Sequence, residues 1–173
     1  MIMPTIIDWH SITAIVCDFD GVLTDNFVYL DQAGTESVRC SRADGLAFDT
    51  LRVLGIPVVI FSTEKNPVVR ARAEKLQVPV LQGIEGKQAE LQRHAAVAKW
   101  DLARVVYVGN DLNDLQALEL CGHRVCPADA HPAVSAICNV QLTSRGGEGV
   151  MRELVEHVLA IDIVATLYPK APS

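Results

Sequence analysis

The chain has 173 residues, half of them apolar, which is the size and composition of one globular domain with a continuous core. Its formal charge of -6 and sequence pI near 5.3 argue against a nucleic-acid partner, because nucleic-acid-binding surfaces concentrate Lys and Arg. No apolar run approaches the roughly 20 residues needed to cross a bilayer, so we expect no membrane partner either. We expect a single domain over residues 1–173, with a loose tail at 168–173.

The cysteines indicate a reducing environment. They are odd in number and not closely paired, and the chain opens with Met1 and lacks a signal sequence. We therefore expect free thiols and a cytoplasmic location. The five are Cys17, Cys40, Cys121, Cys126 and Cys138.

Short β-branched runs alternate with segments of helical period along the chain. This alternation predicts an α/β fold with a parallel sheet and crossover helices. The first predicted helix has an apolar face that includes Leu46 and Leu51, and Gly55 ends it. The next covers residues 67–76 and begins at a proline. The predicted strands cover residues 13–17, 58–61, 80–81, 105–108 and 124–126, with a weaker one near Val140.

A β-hairpin is predicted directly after the first strand. Two strand-like runs, 27–30 and 36–40, flank a four-residue turn that contains Gly34. We therefore expect an insertion over residues 26–41 rather than another crossover unit.

The candidate site consists of polar residues that follow the apolar strands, because ligands of an open parallel sheet bind beyond the carboxyl ends of its strands. Asp18 and Asp20 end the first strand, and Gly21 lets the backbone turn sharply. Two carboxylates this close repel each other, and a divalent cation or a shared proton relieves the repulsion. Taken alone, the stretch has a second interpretation as an acidic turn in solvent.

Three further places carry polar groups. Ser62 and Thr63 follow the second strand and can donate hydrogen bonds to a phosphate, although both residue types are common helix caps. Lys87 lies near a predicted helix start, where the macrodipole favours an anion, so it is either solvated surface or a partner for negative charge. The residues after the 105–108 strand are hard oxygen donors of the kind that Mg²⁺ prefers: Asn110, Asp111, Asn113 and Asp114.

In order and spacing these four places resemble the motifs of the haloacid dehalogenase superfamily over nearly the whole chain. The resemblance implies a three-layer Rossmann-like sheet and a Mg²⁺-dependent phosphatase. It implies that Asp18 attacks phosphorus to form an aspartyl-phosphate, while Asp20 protonates the leaving sugar oxygen and then activates water. Ser62 and Lys87 would hold the phosphoryl oxygens. The metal ligands would come from Asp18, the Asp20 backbone carbonyl, Asn110, Asp111 and Asp114.

The small hairpin in place of a cap domain resembles the capless tetrameric branch of this superfamily. The glycine-rich segment 146–153 and the stretch around Asp44 carry the same resemblance. It implies a homotetramer whose neighbouring subunits complete each other's active sites. It also implies substrate contacts from Arg42, Asp44, Gly45 and Arg152. The alternative for the glycine-rich segment is a turn that caps the last helix.

The residues after the second strand depart from the octulosonate 8-phosphate phosphatases of that branch. Those enzymes have Thr-Gly-Arg where this chain continues from Ser62 to Pro67. The stretch is more similar to nonulosonate 9-phosphate phosphatases and to the phosphatase-like domain fused to some sialic acid cytidylyltransferases. We therefore expect a nine-carbon 2-keto-3-deoxy sugar-acid phosphate, with Glu64 and Lys75 as the specificity pair. The alternative for Glu64 is an exposed acid at a helix start.

Asn110 is the second departure, because octulosonate enzymes usually have a Mg²⁺-binding aspartate there. An amide oxygen is a neutral and weaker ligand, so Asp111 or Asp114 is expected to supply the charge. This departure supports a non-catalytic alternative, an oligomerisation module that serves a separate cytidylyltransferase. The charges kept at the other three places argue against that alternative, because a purely structural domain does not need them.

Two other classes of protein with similar parts are excluded by position and motif. A response-regulator receiver carries its phosphorylated aspartate on a middle strand, whereas here the acid pair ends the first predicted strand. A P-loop NTPase needs its glycine-rich lysine motif, and the sequence contains none.

Overall fold

The structure is a computed structural model that describes residues 6–169. Of the predicted loose tail at 168–173, the last four residues lie outside the described residues. No helix within residues 6–169 is long and apolar enough to span a membrane.

The sheet has six strands, and every pairing in it is parallel. The strands are β1 (Ala14–Asp18), β4 (Val58–Ser62), β5 (Val80–Gln82), β6 (Val105–Val108), β7 (His123–Cys126) and β8 (Val140–Gln141). Their order is β5-β4-β1-β6-β7-β8. After β1 the chain adds β4 and β5 on one side and then β6, β7 and β8 on the other, so the strand order switches direction between β1 and β6. The carboxyl end of such a switch point is where ligands bind in open α/β sheets.

Helices cover both faces of this sheet. The longer ones are α1 (Ala43–Val53), α2 (Pro67–Leu76), α3 (Lys87–Ala98) and α4 (Leu115–Leu120). The shorter ones are α5 (Pro132–Ser135), α6 (Val150–Glu153) and α7 (Ile163–Leu167), with a π-helical turn at Leu154–Val158 and 3₁₀ turns at Leu102–Arg104 and Leu112–Asp114.

The side chains of β1 alternate between two apolar clusters. Ile15 and Cys17 pack into a cluster with residues of α1, α2 and α6. Val16 packs into the other cluster, together with Leu91 of α3 and Leu118 of α4. The sheet therefore lies between two helical layers, and the predicted three-layer α/β fold is confirmed.

The predicted strand bounds agree with the structure to within one residue. The first strand is shifted by one position because Asp18 still pairs with Phe61 of β4. The hairpin is shorter than predicted: β2 (Tyr29–Leu30) pairs with β3 (Glu36–Ser37), and a single bridge joins Thr24 to Cys40 below them. The hairpin extends from the same edge of the sheet as Asp18.

Candidate active site

Asp18 is the last residue of the central strand, and its side chain is buried. Its Oδ1 accepts a hydrogen bond from the backbone N–H of Phe19 at 2.7 Å. The same oxygen lies 2.7 Å from Nζ of Lys87. The carboxylate is therefore fixed in position at the carboxyl edge of the sheet.

Lys87 is the first residue of α3 and is also buried. Its ammonium lies 2.7 Å from Oδ1 of Asp18 and 2.7 Å from Oδ1 of Asp114. Of the two interpretations of the sequence, the structure supports the partner for negative charge and not the solvated lysine. Burial alone would lower the pKa of Lys87, but the two carboxylates outweigh it and raise that pKa, so the side chain stays charged.

Asp114 is fully buried, and both of its oxygens accept hydrogen bonds. Oδ1 accepts from Lys87 and from the hydroxyl of Tyr107 at 3.0 Å. Oδ2 accepts from the backbone N–H groups of Asn110 at 3.0 Å and Asp111 at 3.3 Å. Asp114 therefore orients Lys87 and the loop after β6, and it does not line the cleft as the predicted metal ligand would.

The buried charges shift the protonation of this group. Burial, followed by the negative charge of Asp114, raises the pKa of Asp18 to about 8, against the opposing effect of Lys87. Burial and Asp114 also raise the pKa of Tyr107, which keeps its hydroxyl protonated as a donor. The site therefore has an excess of negative charge that a further cation would stabilise.

Asp20 is half-buried and held by Thr24. The Thr24 hydroxyl donates to Oδ1 of Asp20 at 3.3 Å, and its oxygen accepts from the backbone N–H groups of Gly21 at 3.1 Å and Asn26 at 3.2 Å. Burial raises the pKa of Asp20, although the Thr24 hydrogen bond opposes the shift. A carboxyl that retains its proton can act as a general acid.

A cleft of about 310 Å³ opens above these residues. It is lined by Asp18, Asp20, Asn26, Thr63, Asn110, Asp111, Leu112 and Asn113. A smaller extension of about 110 Å³ shares Asp20 and Asn26 with it. The rest of the extension is lined by Phe27, Val28, Glu36, Val38, Glu64, Asn66 and Val68.

Ser62, the last residue of β4, is buried beside this cleft. Its Oγ accepts a hydrogen bond from the backbone N–H of Glu64 at 3.1 Å, which leaves its O–H free to donate elsewhere. The structure thus places Asp18, Asp20, Ser62 and Lys87 at one edge of the sheet.

Asn110 places an unsatisfied oxygen at the site. Its side chain is buried, and its Oδ1 accepts no hydrogen bond within residues 6–169. Its amide packs against the backbone of Gly21, whose φ is +78°, and a Cβ built there would lie 1.9 Å from Nδ2 of Asn110. Because buried polar oxygens are normally paired, this oxygen fits a cation ligand.

Apart from Ser62 and Lys87, which are buried beside the cleft, five predicted substrate-binding residues lie outside its lining. Asp44 is buried, and its Oδ1 accepts from the backbone N–H of Arg152 at 3.0 Å, so Asp44 caps the start of α6. Burial raises the pKa of Asp44 to about 6. The Arg152 side chain pairs instead with Glu156 at 2.8 Å. The other three are Arg42, which is exposed before α1, Gly45 within α1, and Lys75 in the last turn of α2, at the end remote from Glu64.

Thr24 and Tyr107 support the site, although the sequence does not single them out. Thr24 organises the turn around Asp20, and a hydroxyl four residues after that acid was its only signal. Tyr107 lies in an apolar strand, where an aromatic residue reads as core, and nothing local indicates its hydrogen bond to Asp114.

Comparisons with known proteins agree with this site. A family model described as haloacid dehalogenase-like hydrolase matches residues 80–154. A 3-deoxy-D-manno-octulosonate 8-phosphate phosphatase from Haemophilus influenzae is 31% identical over 154 residues, which cover 87% of this chain and 84% of that protein. An N-acylneuraminate cytidylyltransferase A from Danio rerio is 29% identical over 151 residues. That match covers 85% of this chain, but the chain spans only about a third of that relative, 35%.

Solved structures show the same similarity. A protein from Streptomyces avermitilis MA-4680, described as a HAD family hydrolase, superimposes with a TM-score of 0.90 at 40% identity, covering 94% of each chain. A 3-deoxy-D-manno-octulosonate 8-phosphate phosphatase from Moraxella catarrhalis, in complex with a magnesium ion, a phosphate ion and a KDO molecule, gives a TM-score of 0.80 at 27% identity, covering 84% of each chain. The chain therefore belongs to the haloacid dehalogenase-like hydrolases, and it is a phosphatase, that is, a phosphoric monoester hydrolase.

Proposed function

We propose that this phosphatase hydrolyses a 2-keto-3-deoxy sugar-acid phosphate with the help of Mg²⁺. The preferred substrate is a nonulosonate 9-phosphate of the deaminated neuraminate or N-acetylneuraminate type. The observation that carries the chemistry is the pairing of Asp18 with Lys87 at 2.7 Å, beneath a cleft that Asp20 also lines. Octulosonate 8-phosphate is the second candidate, favoured by the relative from Haemophilus influenzae.

The reaction uses the two acids of the β1 end in different roles. Asp18 attacks phosphorus and forms an aspartyl-phosphate, while Asp20 gives its proton to the leaving sugar oxygen. Asp20, now a carboxylate, then takes a proton from the water that hydrolyses the acyl phosphate. Lys87 and the hydroxyl of Ser62 hold the phosphoryl oxygens. The two acids have different partners within residues 6–169, which supports this division of roles. The Lys87 ammonium, together with a bound cation, would favour the carboxylate form of Asp18 against the effect of burial, whereas Asp20 accepts from the neutral Thr24 hydroxyl and burial raises its pKa.

Mg²⁺ fits the oxygen donors of the cleft. The residues that would hold it are Asp18, the backbone carbonyl of Asp20 and Asn110, with Asp111 at the rim. The unsatisfied Oδ1 of Asn110 and the raised pKa of Asp18 both support a cation here. When bound, Mg²⁺ neutralises negative charge on the phosphoryl group. The Moraxella catarrhalis relative was solved with magnesium and phosphate ions.

The small extension of the cleft supports a substrate with a long leaving group. It begins at Asp20, the residue that protonates the leaving oxygen, and therefore lies on the leaving-group side of the phosphate. Glu64 is fixed there, because its Oε1 accepts from the backbone N–H groups of Lys65 at 2.6 Å and Asn66 at 2.8 Å. Its other oxygen can accept from sugar hydroxyls or an amine.

The carboxylate of a sugar acid needs a cation that one subunit does not place in the cleft. Within residues 6–169, no Lys or Arg is among the residues that line either part of it. The hairpin also exposes four consecutive apolar side chains: Phe27, Val28, Tyr29 and Leu30. Both observations support a homotetramer with intersubunit sites, in which Arg42 or Arg152 of one copy meets the substrate of another.

Phosphate release from eight-carbon and nine-carbon sugar-acid phosphates, with and without Mg²⁺, tests the proposal. We expect higher kcat/KM on the nine-carbon substrates and a loss of preference in Glu64→Ala, with Glu85→Ala, an exposed acid away from the cleft, as the control. A preference for the eight-carbon substrate would establish the second candidate. If the wild type and Asp18→Asn are equally inactive on every substrate, the chain is the non-catalytic module and the proposal fails.

A further inference from the structure

The turn at residues 144–147 lies between two loops that carry site residues. The backbone N–H of Gly147 donates to the carbonyl of Val22 at 3.0 Å, in the loop that follows Asp20. On its other side, the N–H of Gly146 donates to Oδ1 of Asp129 at 2.9 Å. Asp129 belongs to the 127–131 loop, which is fixed to the same turn by a hydrogen bond from Ala128 N–H to the Ser144 carbonyl at 2.9 Å.

The 127–131 loop also holds Asn110. The backbone N–H of His131 donates to the carbonyl of Asn110 at 2.8 Å. One continuous set of hydrogen bonds therefore runs from the Asp20 loop, through the glycine turn and Asp129, to the residue that offers the unsatisfied oxygen.

Backbone packing makes this connection stiff. A Cβ built on Gly146 would lie 2.4 Å from the carbonyl oxygen of Gly21 and 2.9 Å from that of Thr24. Gly21 in turn leaves no space on the side of Asn110. The glycine turn, the Asp20 loop and Asn110 are thus stacked without intervening side chains, and a shift of the turn must displace the loop.

The displaced loop is the one that orients Asp20. The Thr24 carbonyl oxygen would lie 2.9 Å from a Cβ on Gly146, and the Thr24 hydroxyl donates a hydrogen bond to Asp20. A general acid acts only within about 2.6–3.2 Å of the atom it protonates. A misplacement of roughly 1 Å can reduce the rate by about 100-fold.

We propose that Asp129 and Gly146 are positioning residues of the phosphatase, whose hydrogen bond sets Asp20 relative to Asn110. This inference rests on the proposed function. Neither residue touches the cleft, so their effect is exerted through Thr24 and His131.

The test compares three variants on phosphate monoesters of graded leaving-group pKa, from p-nitrophenyl phosphate to an alkyl sugar phosphate. Asp129→Ala removes the acceptor of the Gly146 N–H, whereas Asp129→Asn keeps an acceptor oxygen. Arg145→Ala is the matched control, because Arg145 pairs with the other oxygen of Asp129 at 3.5 Å and is 64% exposed. Gly146→Ala, which introduces the clashing Cβ, serves as a second disruptive variant if its circular dichroism is native.

We expect Asp129→Ala to lose about 10-fold to 100-fold in kcat/KM on the alkyl phosphate and less than about 3-fold on p-nitrophenyl phosphate, since a good leaving group departs without protonation. The comparison uses kcat/KM because this ratio reports the steps up to departure of the leaving group, before Asp20 acts as a base on water. Asp129→Asn and Arg145→Ala should remain near wild type on both. Equal losses across the series, or no loss, would overturn the inference while leaving the phosphatase intact. A wild type that cleaves no member of the series would overturn the proposed function and this inference with it.

Discussion

Nζ of Lys87 lies 2.7 Å from Oδ1 of Asp18, and both side chains are buried. The ammonium is shared with Asp114, at the same distance. One buried cation thus pairs with two buried carboxylates, so the position and the pKa of the proposed nucleophile depend on the charge of Lys87. The first two predictions follow from this pairing.

Replacing Lys87 with Met should destabilise the fold by about 3 kcal/mol at pH 9, because two buried carboxylates lose their cation. The loss should be smaller at pH 6.5, where Asp18, with a pKa raised to about 8, is protonated. Urea denaturation in EDTA at both pH values measures the difference. A loss that is the same at both pH values would show that charge is not its cause.

Asp18→Asn should abolish turnover and leave the fold intact. A carboxyl whose folded-state pKa is raised stabilises the fold while protonated, and this contribution is lost as the pH rises. For Asp18 the loss occurs between 3.8 and about 8. The metal-free wild type should therefore lose stability across this window, and Asp18→Asn should show a shallower slope. Phosphate release tests the loss of turnover, and thermal unfolding in EDTA between pH 4 and pH 8 tests the pH dependence of stability. Equal slopes of stability against pH in the wild type and in Asp18→Asn would contradict the second expectation.

Asn110→Asp should lower the Mg²⁺ concentration needed for half-maximal activity by about 10-fold, since a charged ligand replaces a neutral one. The metal-free variant should unfold at a lower temperature than the wild type, because a further carboxylate joins Asp18. Asn113→Asp adds the same charge at the exposed rim of the cleft and is the control. Equal Mg²⁺ responses in the two variants would exclude Asn110 as a ligand.

Tyr107→Phe should reduce kcat several-fold with little change in KM, because Asp114 loses one of the donors that fix it against Lys87. The free energy of unfolding should fall by about 1 kcal/mol, the usual contribution of one hydrogen bond. Steady-state kinetics and urea denaturation provide the measurements. Tyr168→Phe, at an exposed position, is the control and should change neither kcat nor the free energy of unfolding. An unchanged kcat in Tyr107→Phe would show that the Tyr107 hydroxyl contributes to stability alone.

Leu30→Glu on the exposed hairpin should dissociate the proposed tetramer, because a charge is costly to bury in an apolar interface. Light scattering after size exclusion measures the mass, and kcat/KM should fall with it if neighbouring subunits complete the sites. Val97→Glu places the same charge on an exposed position of α3 and should keep the wild-type mass. A wild type that is itself monomeric would end the tetramer proposal.

Much of the fold could be predicted from the sequence because its signals are local. Strands of β-branched residues are short and bounded by polar or glycine residues, so their limits were predicted to within one position. The acids at 18 and 20 stood out because they directly follow such a strand. The hairpin was predicted in place but too long, since residues 27 and 28 have the composition of a strand without a partner to pair with.

The roles of the remaining polar residues depend on contacts between distant parts of the chain. Asp114 has the same local setting as Asn110, yet its two oxygens are taken by Tyr107, by two backbone N–H groups and by Lys87, 27 residues away. Asp44 reads as a site acid in the sequence, but it caps a helix that begins more than 100 residues later.

The sequence by itself determined the class of fold, the four places where polar residues end or follow strands, and the family resemblance that the comparisons confirmed. Periodicity and strand-end chemistry are short-range properties, so they can be read without coordinates. Only the tertiary structure decided which acids line the cleft and which have their oxygens paired in buried hydrogen bonds. That choice depends on how β1, β6 and α3 pack together, because burial and long-range donors, not residue type, set the orientation and charge of each carboxylate.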